Sequence, residues 1–230
     1  MSKSQELGTE KIGKLLVKMA VPASIGILVM SIYFIVDTIF VGRFVGSLGI
    51  AAITVVLPIS FLIGSFGMAI GVGGSSVISR ALGAENKEKA WHTFGNMITI
   101  TLFLAISLVI LGFFVSDPVL SAFGAKGEIM DPAKRYFRII LLGVPCLAWM
   151  MMANNVMRAE GQPRFAMIAM ILPAIVNIIL DPILIIGLDW GLEGAAWATT
   201  FSYYLSAGFS LWYFLFGPSE LKVTARSFLL

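Results

Sequence analysis

The stretch Asn177-Ile-Ile-Leu-Asp181-Pro182 sets a carboxylate, a carboxamide and a proline inside an apolar run from about Phe165 to Gly187. That run is long enough to cross a bilayer, which takes about 20 helical residues. An ionisable side chain in hydrocarbon is costly and usually marks an ion or substrate pathway. Asn177 and Asp181 are four residues apart, so a helix projects both from one face. Pro182 has no N–H, which deprives the carbonyl of Ile178 of its donor and disfavours straight helix at Asp181. Two polar side chains and a loosened backbone therefore meet at one spot. The chemistry that fits is the binding of a small cation or a proton.

A second carboxylate, Asp37, lies in an earlier apolar run, Leu15–Val41. Counted from the expected ends of their spans, Asp37 and Asp181 both sit about 6–9 Å below the outer boundary of the membrane core, at 1.5 Å per residue. Thr199 falls at the same depth in the last span. Tyr33 and Tyr203 lie one turn further in than Asp37 and Thr199. Two carboxylates in one low-dielectric pocket cannot both stay ionised without a counter-charge. Either one holds a proton or a cation sits between them. Oxygens from Asp37, Asn177, Asp181 and Thr199, with a carbonyl freed near a proline, suit a hard cation such as Na⁺. The same pair suits a proton relay. The plain alternative is a hydrogen-bond network that glues helices together. A buried salt bridge is a weaker explanation, because no basic residue lies at that depth.

These residues need membrane helices to hold them. The 230-residue chain is 58% hydrophobic and only 13% charged, with a mean hydropathy of +0.93, which is the composition of an integral membrane protein. Apolar spans are expected at about Leu15–Val41, Ile50–Ile78, His92–Val115, Tyr136–Met157, Phe165–Gly187 and Gly194–Phe216. This divides the chain into a cytoplasmic segment 1–14, a six-span lobe 15–216 and a tail 217–230. Lys11–Lys18 reads as a short amphipathic helix at the membrane surface. The first apolar run is too long for a signal-peptide core, so it reads as a retained span.

With the N-terminus inside, eleven of the 16 basic residues fall on the inner side. They are Lys3, Lys11, Lys14, Lys18, Arg80, Lys87, Lys89, Arg158, Arg164, Lys222 and Arg226. That bias favours an N-in, C-in arrangement. The exception is the outer cluster Lys134/Arg135/Arg138, which reads as snorkelling from the end of span four. The net charge of +3 follows membrane topology and not a basic face for nucleic acid. Six spans make an all-α bundle.

Pro22, Pro58, Pro145, Pro173 and Pro182 mark kinks within the spans. Pro173, Asn177 and Asp181 share a face at four-residue spacing, which favours a functional bend there. Gly64-Ser-Phe-Gly67 and Gly71-Val-Gly-Gly74 permit close helix approach. They are no nucleotide loop, since no strand precedes them and the lysine is missing. Asn154 and Asn155 read as helix caps or interhelical glue. The twelve methionines, Met150–Met152 and Met167/Met170 among them, offer soft walls for packing or for a cavity. Trp91, Trp190 and Trp197 read as interface anchors. The single Cys146 reads as a buried packing residue, and the single His92 excludes a histidine-rich metal cluster. No nucleophile–base pair appears, so an enzyme is the least favoured class.

Four stretches in order carry a resemblance. MAVPASIGILVMSIYFIVDTIFVGR (19–43), SSVISRALGAENKEKA (75–90), NNVMRAEGQPR (154–164) and NIILDPILIIGLDWGLEGAAWATTFS (177–202) resemble the multidrug and toxic compound extrusion (MATE) transporters. The resemblance implies a secondary antiporter in the cytoplasmic (inner) membrane. It would expel drugs, organic cations and other xenobiotics in exchange for Na⁺ or H⁺, with no organic cofactor. It also implies a cation site in the amino-terminal lobe, at positions matching Asp37, Asn177, Asp181 and Thr199. The backbone carbonyl of Ala195 would assist.

The departure is length. Family members have twelve spans in two six-span lobes around the substrate cavity, and this chain resembles the first lobe alone. A carboxy-terminal lobe or a second copy would then be the partner required for alternating access. Two rivals remain: a flippase of lipid-linked oligosaccharides, which needs a cationic central cavity, and a non-transporting remnant.

Overall fold

The structure, a computed structural model, describes residues 10–222. The expected terminal segments outside that range, with Lys3 and Arg226, lie outside the described residues. Every regular element among the described residues is helical. The order is α1 (Ile12–Phe44), α2 (Ser47–Gly83), α3 (Lys87–Phe114), a short α4 (Ser116–Ala122), a 3₁₀ turn (Gly127–Ile129), α5 (Met130–Ala159), α6 (Pro163–Asp181), a π-helical segment (Pro182–Gly187) and α7 (Gly191–Leu215).

Local signals set several ends. Asn86 caps α3 by accepting a 3.0 Å hydrogen bond from the Lys89 amide. Pro163 opens α6 at the position where its missing N–H costs nothing. Gly46 turns the chain between α1 and α2 at φ 90°. A Cβ there would meet no atom within 4 Å, so conformation and not space requires glycine.

Two expected boundaries are corrected. Lys11–Lys18 is not a separate surface helix: α1 runs unbroken from Ile12 and continues through Pro22. No glycine or proline interrupts residues 14–21, so nothing ends the helix at the membrane surface. The fourth span does not begin near Tyr136 either; α5 starts at Met130. Its first turns carry Lys134 and Arg135, which lower the hydropathy without breaking the helix. Lys134 Nζ lies 2.6 Å from Asp117 Oδ1, and Arg135 Nε lies 3.6 Å from Glu193 Oε1. The Lys134 partner holds the Asp117 carboxyl below its ordinary range.

Five helical stretches are long and apolar enough to cross a membrane: Ile12–Phe44, Ser47–Gly83, Lys87–Phe114, Gly127–Ala159 and Pro163–Gly187. Helix α7, of 25 residues, does not reach the same hydropathy. The reason is visible in its buried face, where Thr199, Thr200, Ser202, Ser206 and Ser210 replace aliphatic residues.

Helices α2 and α5 form the centre, drawn together by glycine. A Cβ on Gly67 would lie 2.5 Å from the Ala148 carbonyl oxygen, and one on Gly71 would lie 3.0 Å from Met152 Cα. Helix α7 is tied to its neighbours by polar glue. Thr200 donates to the Ile139 carbonyl at 3.1 Å, and Tyr204 to the Leu142 carbonyl at 3.1 Å. Asn154 joins α5 to α6, donating to the Ala166 carbonyl at 2.7 Å, while Asn155 bonds within its own helix. Helix α1 stands at the edge and leans mainly on α6. It buries only Gly26, Asp37 and Val41.

Cys146 is corrected as well. It is half-buried and lines a groove with Trp149 and Tyr204 between α3, α5 and α7. Trp91 is partly exposed and donates to the Glu220 carbonyl at 3.2 Å.

Candidate functional site

The four polar residues expected at one level come from three helices and meet. Asp37 is 6% exposed on α1, Asn177 1% and Asp181 0% on α6, and Thr199 6% on α7. In the amide orientation that satisfies all its neighbours, Asn177 donates to Asp181 Oδ2 at 2.7 Å. Its carbonyl accepts from the Thr199 hydroxyl and backbone N–H, both at 3.2 Å. The carboxyls of Asp37 and Asp181 lie within hydrogen-bonding reach of each other. Asp37 Oδ1 is buried without a donor among the described residues. Acceptor facing acceptor in a buried pocket is a costly arrangement until a proton or a cation completes it.

Local structure explains how these groups are aimed. The α-helix ends at Asp181, and the π-helical segment begins at Pro182, where the ladder lacks a donor. That segment carries the chain into α7. Gly194 lets the first turn of α7 close on it, since a Cβ there would lie 2.8 Å from the Leu184 carbonyl. Thr199 follows one turn and a half later.

The remaining expected residues divide. Pro173 is buried one turn before Asn177. Pro22 lies 15 residues from Asp37, about 22 Å along α1, and so is remote from the carboxyls. The side chain of Ala195 sits in the apolar cluster with Val41, Ile185 and Ala196, beside the four polar residues and not among them.

Next to the site lies a cavity of about 310 Å³ between α1, α2, α5, α6 and α7. Met30, Met68, Met150, Met151 and Met170 line it, together with Pro173 and the two tyrosines expected below the carboxylates, Tyr33 and Tyr203. Among the described residues no charged side chain does. Both tyrosines also interact electrostatically with Asp37. They stand as the shared wall of the four polar residues and the apolar cavity. Met152, by contrast, is wholly buried in the core.

Two functional candidates escaped the sequence reading. Tyr136 is 7% exposed and interacts electrostatically with Asp37 and Asp181, beside Thr199. It was hidden because the fourth span was expected to start there, at the water boundary. Glu160 lies at the opposite end of the bundle, in the turn between α5 and α6, and is 1% exposed. Its carboxylate accepts from the Tyr213 hydroxyl at 2.8 Å, the Ser219 hydroxyl at 2.7 Å and the Leu221 amide at 2.9 Å. Burial pushes this carboxyl up from its ordinary value, opposed in part by those hydrogen bonds.

Comparison with known proteins gives one answer throughout. The sequence model described as MatE matches residues 22–183. The multidrug export protein MepA of Staphylococcus aureus (strain MSSA476) is 35% identical over 215 residues, covering 93% of this chain and 47% of that protein. A crystal structure of MATE in complex with MaD3S superposes with a TM-score of 0.93 at 31% identity, over 100% of this chain and 52% of that one. A MOP superfamily transporter from Pyrococcus furiosus, for which reverse polarity of the binding pocket suggests a different function, superposes with a TM-score of 0.90 at 31% identity, over 100% and 51%. The chain spans about half the length of the curated relatives it matches.

Proposed function

The chain belongs to the MATE family, and on that premise we propose that it is the amino-terminal half of an antiporter that exports drugs and organic cations in exchange for Na⁺ or H⁺. It is a multi-pass membrane protein, and the proposal extends to six spans across the cytoplasmic membrane with both termini on its inner side. The excess of basic residues on that side supports the orientation. The outer cluster Lys134/Arg135/Arg138 counts against it but is outweighed, since five basic residues lie on the outer side and eleven on the inner. The hydroxyls that lower the hydropathy of α7 face the bundle interior, and 25 residues reach about 37 Å, enough to cross.

One observation carries the coupling role: the buried, unsatisfied Asp37 Oδ1 facing Asp181 beside Asn177 and Thr199. The carboxyls of Asp37 and Asp181 and the Thr199 hydroxyl offer oxygens, the ligand type a hard cation prefers, and the same two carboxyls can share a proton. The driving ion is cargo here and is exchanged in each cycle. Its arrival between Asp37 and Asp181 draws α1 onto α6, and its departure separates them. Tyr33 and Tyr203 pass that change to the methionine-lined cavity, whose apolar walls suit lipophilic substrates. The other wall of the substrate path would come from a second six-span lobe. The oligosaccharide flippase fits less well, because the cavity offers no cation to a pyrophosphate.

The test is ethidium efflux from proteoliposomes holding this chain with its second lobe, driven by an imposed Na⁺ or proton gradient. Asp181→Asn and Asp37→Asn are each expected to reduce gradient-driven efflux to background while leaving the protein folded. Efflux at the unaltered rate in either variant would remove the carboxyl pair from the coupling step.

A further inference from the structure

We propose that the start of α1 and the first turn of α6 form a site for the phosphate headgroup of an anionic phospholipid of the inner leaflet. The assignment to that leaflet rests on the orientation proposed above; the site itself does not use the Asp37–Asp181 pair.

A cavity of about 770 Å³ opens there, lined by Lys14, Lys18, Arg164, Gln162, Val17 and Phe165, with Gly161 and Pro163 at its base. Lys14 and Lys18 are one helical turn apart on one face of α1. Arg164 joins them from α6. Among the described residues no acidic side chain lines the cavity; Glu10, paired to Lys14 at 2.8 Å, stands beside it. Gln162 is 7% exposed, faces the cavity, and makes no capping bond with its side chain although it occupies the N-cap of α6. Its amide is thus an accessible polar group on the cavity wall that makes no side-chain hydrogen bond to the described residues. The backbone amides of Arg164 and Phe165 precede the first intrahelical bond of α6, that from Ala166 to the Gln162 carbonyl. Cationic side chains, an amide and a helix N-terminus converge on one volume, which is the donor set of a phosphate site.

A lipid is favoured over a soluble phosphate by what lies around the donors. Val17 and Phe165 make part of the wall apolar. Exposed Val21, one turn from Val17, and Ile168, one turn from Arg164, extend the apolar surface away from the cavity along α1 and α6. A phosphodiester held by the cations would leave its acyl chains on that surface.

The experiment titrates the whole chain in neutral maltoside micelles with dioleoylphosphatidylglycerol, dioleoylphosphatidylcholine or inorganic phosphate, reading bound lipid by native mass spectrometry and protection by thermal shift. The phosphatidylglycerol is expected to bind more tightly than the phosphatidylcholine. Lys18→Gln/Arg164→Gln should weaken it about 25-fold, at about fivefold per cation, with phosphatidylcholine binding unchanged. Lys134→Gln/Arg138→Gln, in the outer cluster, should leave it unchanged. If the double variant fails to fold, Arg164→Gln decides alone by a fivefold loss, since that side chain is exposed. Equal binding of the two lipids, wild-type affinity in the inner variants, or an equal loss in the outer variant would overturn the site. The same thermal shift from inorganic phosphate would overturn its assignment to a lipid.

Discussion

The Ser206 hydroxyl donates a 2.7 Å hydrogen bond to the carbonyl of Ala169. Ala169 lies four residues before Pro173, so this is the carbonyl that the proline deprives of its helical donor. A side chain from α7 thus repairs the break in α6, one turn from Asn177. In a bilayer no water would do so.

Ser206→Ala is therefore expected to cost about 0.5–2 kcal/mol of stability in detergent unfolding, the range of interhelical hydrogen bonds in membranes. Pro173→Ala restores the internal donor to Ala169, so in that background the cost of Ser206→Ala should shrink. A double-mutant cycle measures this, and equal costs in both backgrounds would show that the two residues are not linked.

Gly67 offers a sharper packing test. Gly67→Ala places a Cβ against the Ala148 carbonyl and should cost about 1–3 kcal/mol by overpacking the α2–α5 contact. Gly73→Ala, on the exposed side of the same helix with no atom within 4 Å, should be neutral or stabilising by up to about 1 kcal/mol. Equal melting temperatures for the two variants would refute the close-approach role.

Tyr136→Phe keeps the ring in its apolar surroundings and removes the hydroxyl beside Thr199. In the reconstituted transporter the concentration of driving ion giving half-maximal efflux should rise by up to about tenfold, as a buried hydroxyl beside the carboxyl pair is removed. The maximal rate at saturating ion should hold. A fall in maximal rate alone would place Tyr136 outside the ion site.

Glu160 gives a pH signature. In the unfolded chain its proton leaves at the ordinary glutamate value; in the folded protein burial raises that point. Between the two values the folded state holds more proton, so the stability contributed by Glu160 falls as pH rises through that window and then levels. Glu160→Gln has no proton to lose there. The difference in melting temperature between wild type and variant should decline across the window in the wild type's disfavour, and a constant difference would contradict it.

The sequence reading reached the buried polar constellation because depth and spacing are local quantities. Asn177 and Asp181 share a face by helical period, and Asp37 and Thr199 are placed by counting from span ends. Tyr136 was lost to the same counting, because Lys134, Arg135 and Arg138 masked the first turns of α5. Glu160 could not be found that way: its partners Ser219 and Leu221 are 59 and 61 residues further on, and only folding brings them near. Proline at 182 announced that straight helix must fail; that a π-helical segment follows depends on how Leu184 packs against Gly194. The division of methionines between cavity and core, Met151 against Met152, depends on helix rotation that composition does not record.

The sparse anchoring of α1 has a mechanical consequence. A helix of 33 residues is about 50 Å long, and Asp37 lies near one end, about 38 Å from Ile12. With so little of it buried, α1 behaves as a lever whose fulcrum is the carboxyl pair. A rotation of about 5° at Asp37 swings the far end by about 3 Å, over the length that the helical rise sets. The coupling role proposed above would carry an adjustment near one face of the membrane to Lys14 and Lys18 at the other, along the contact that α1 makes with α6.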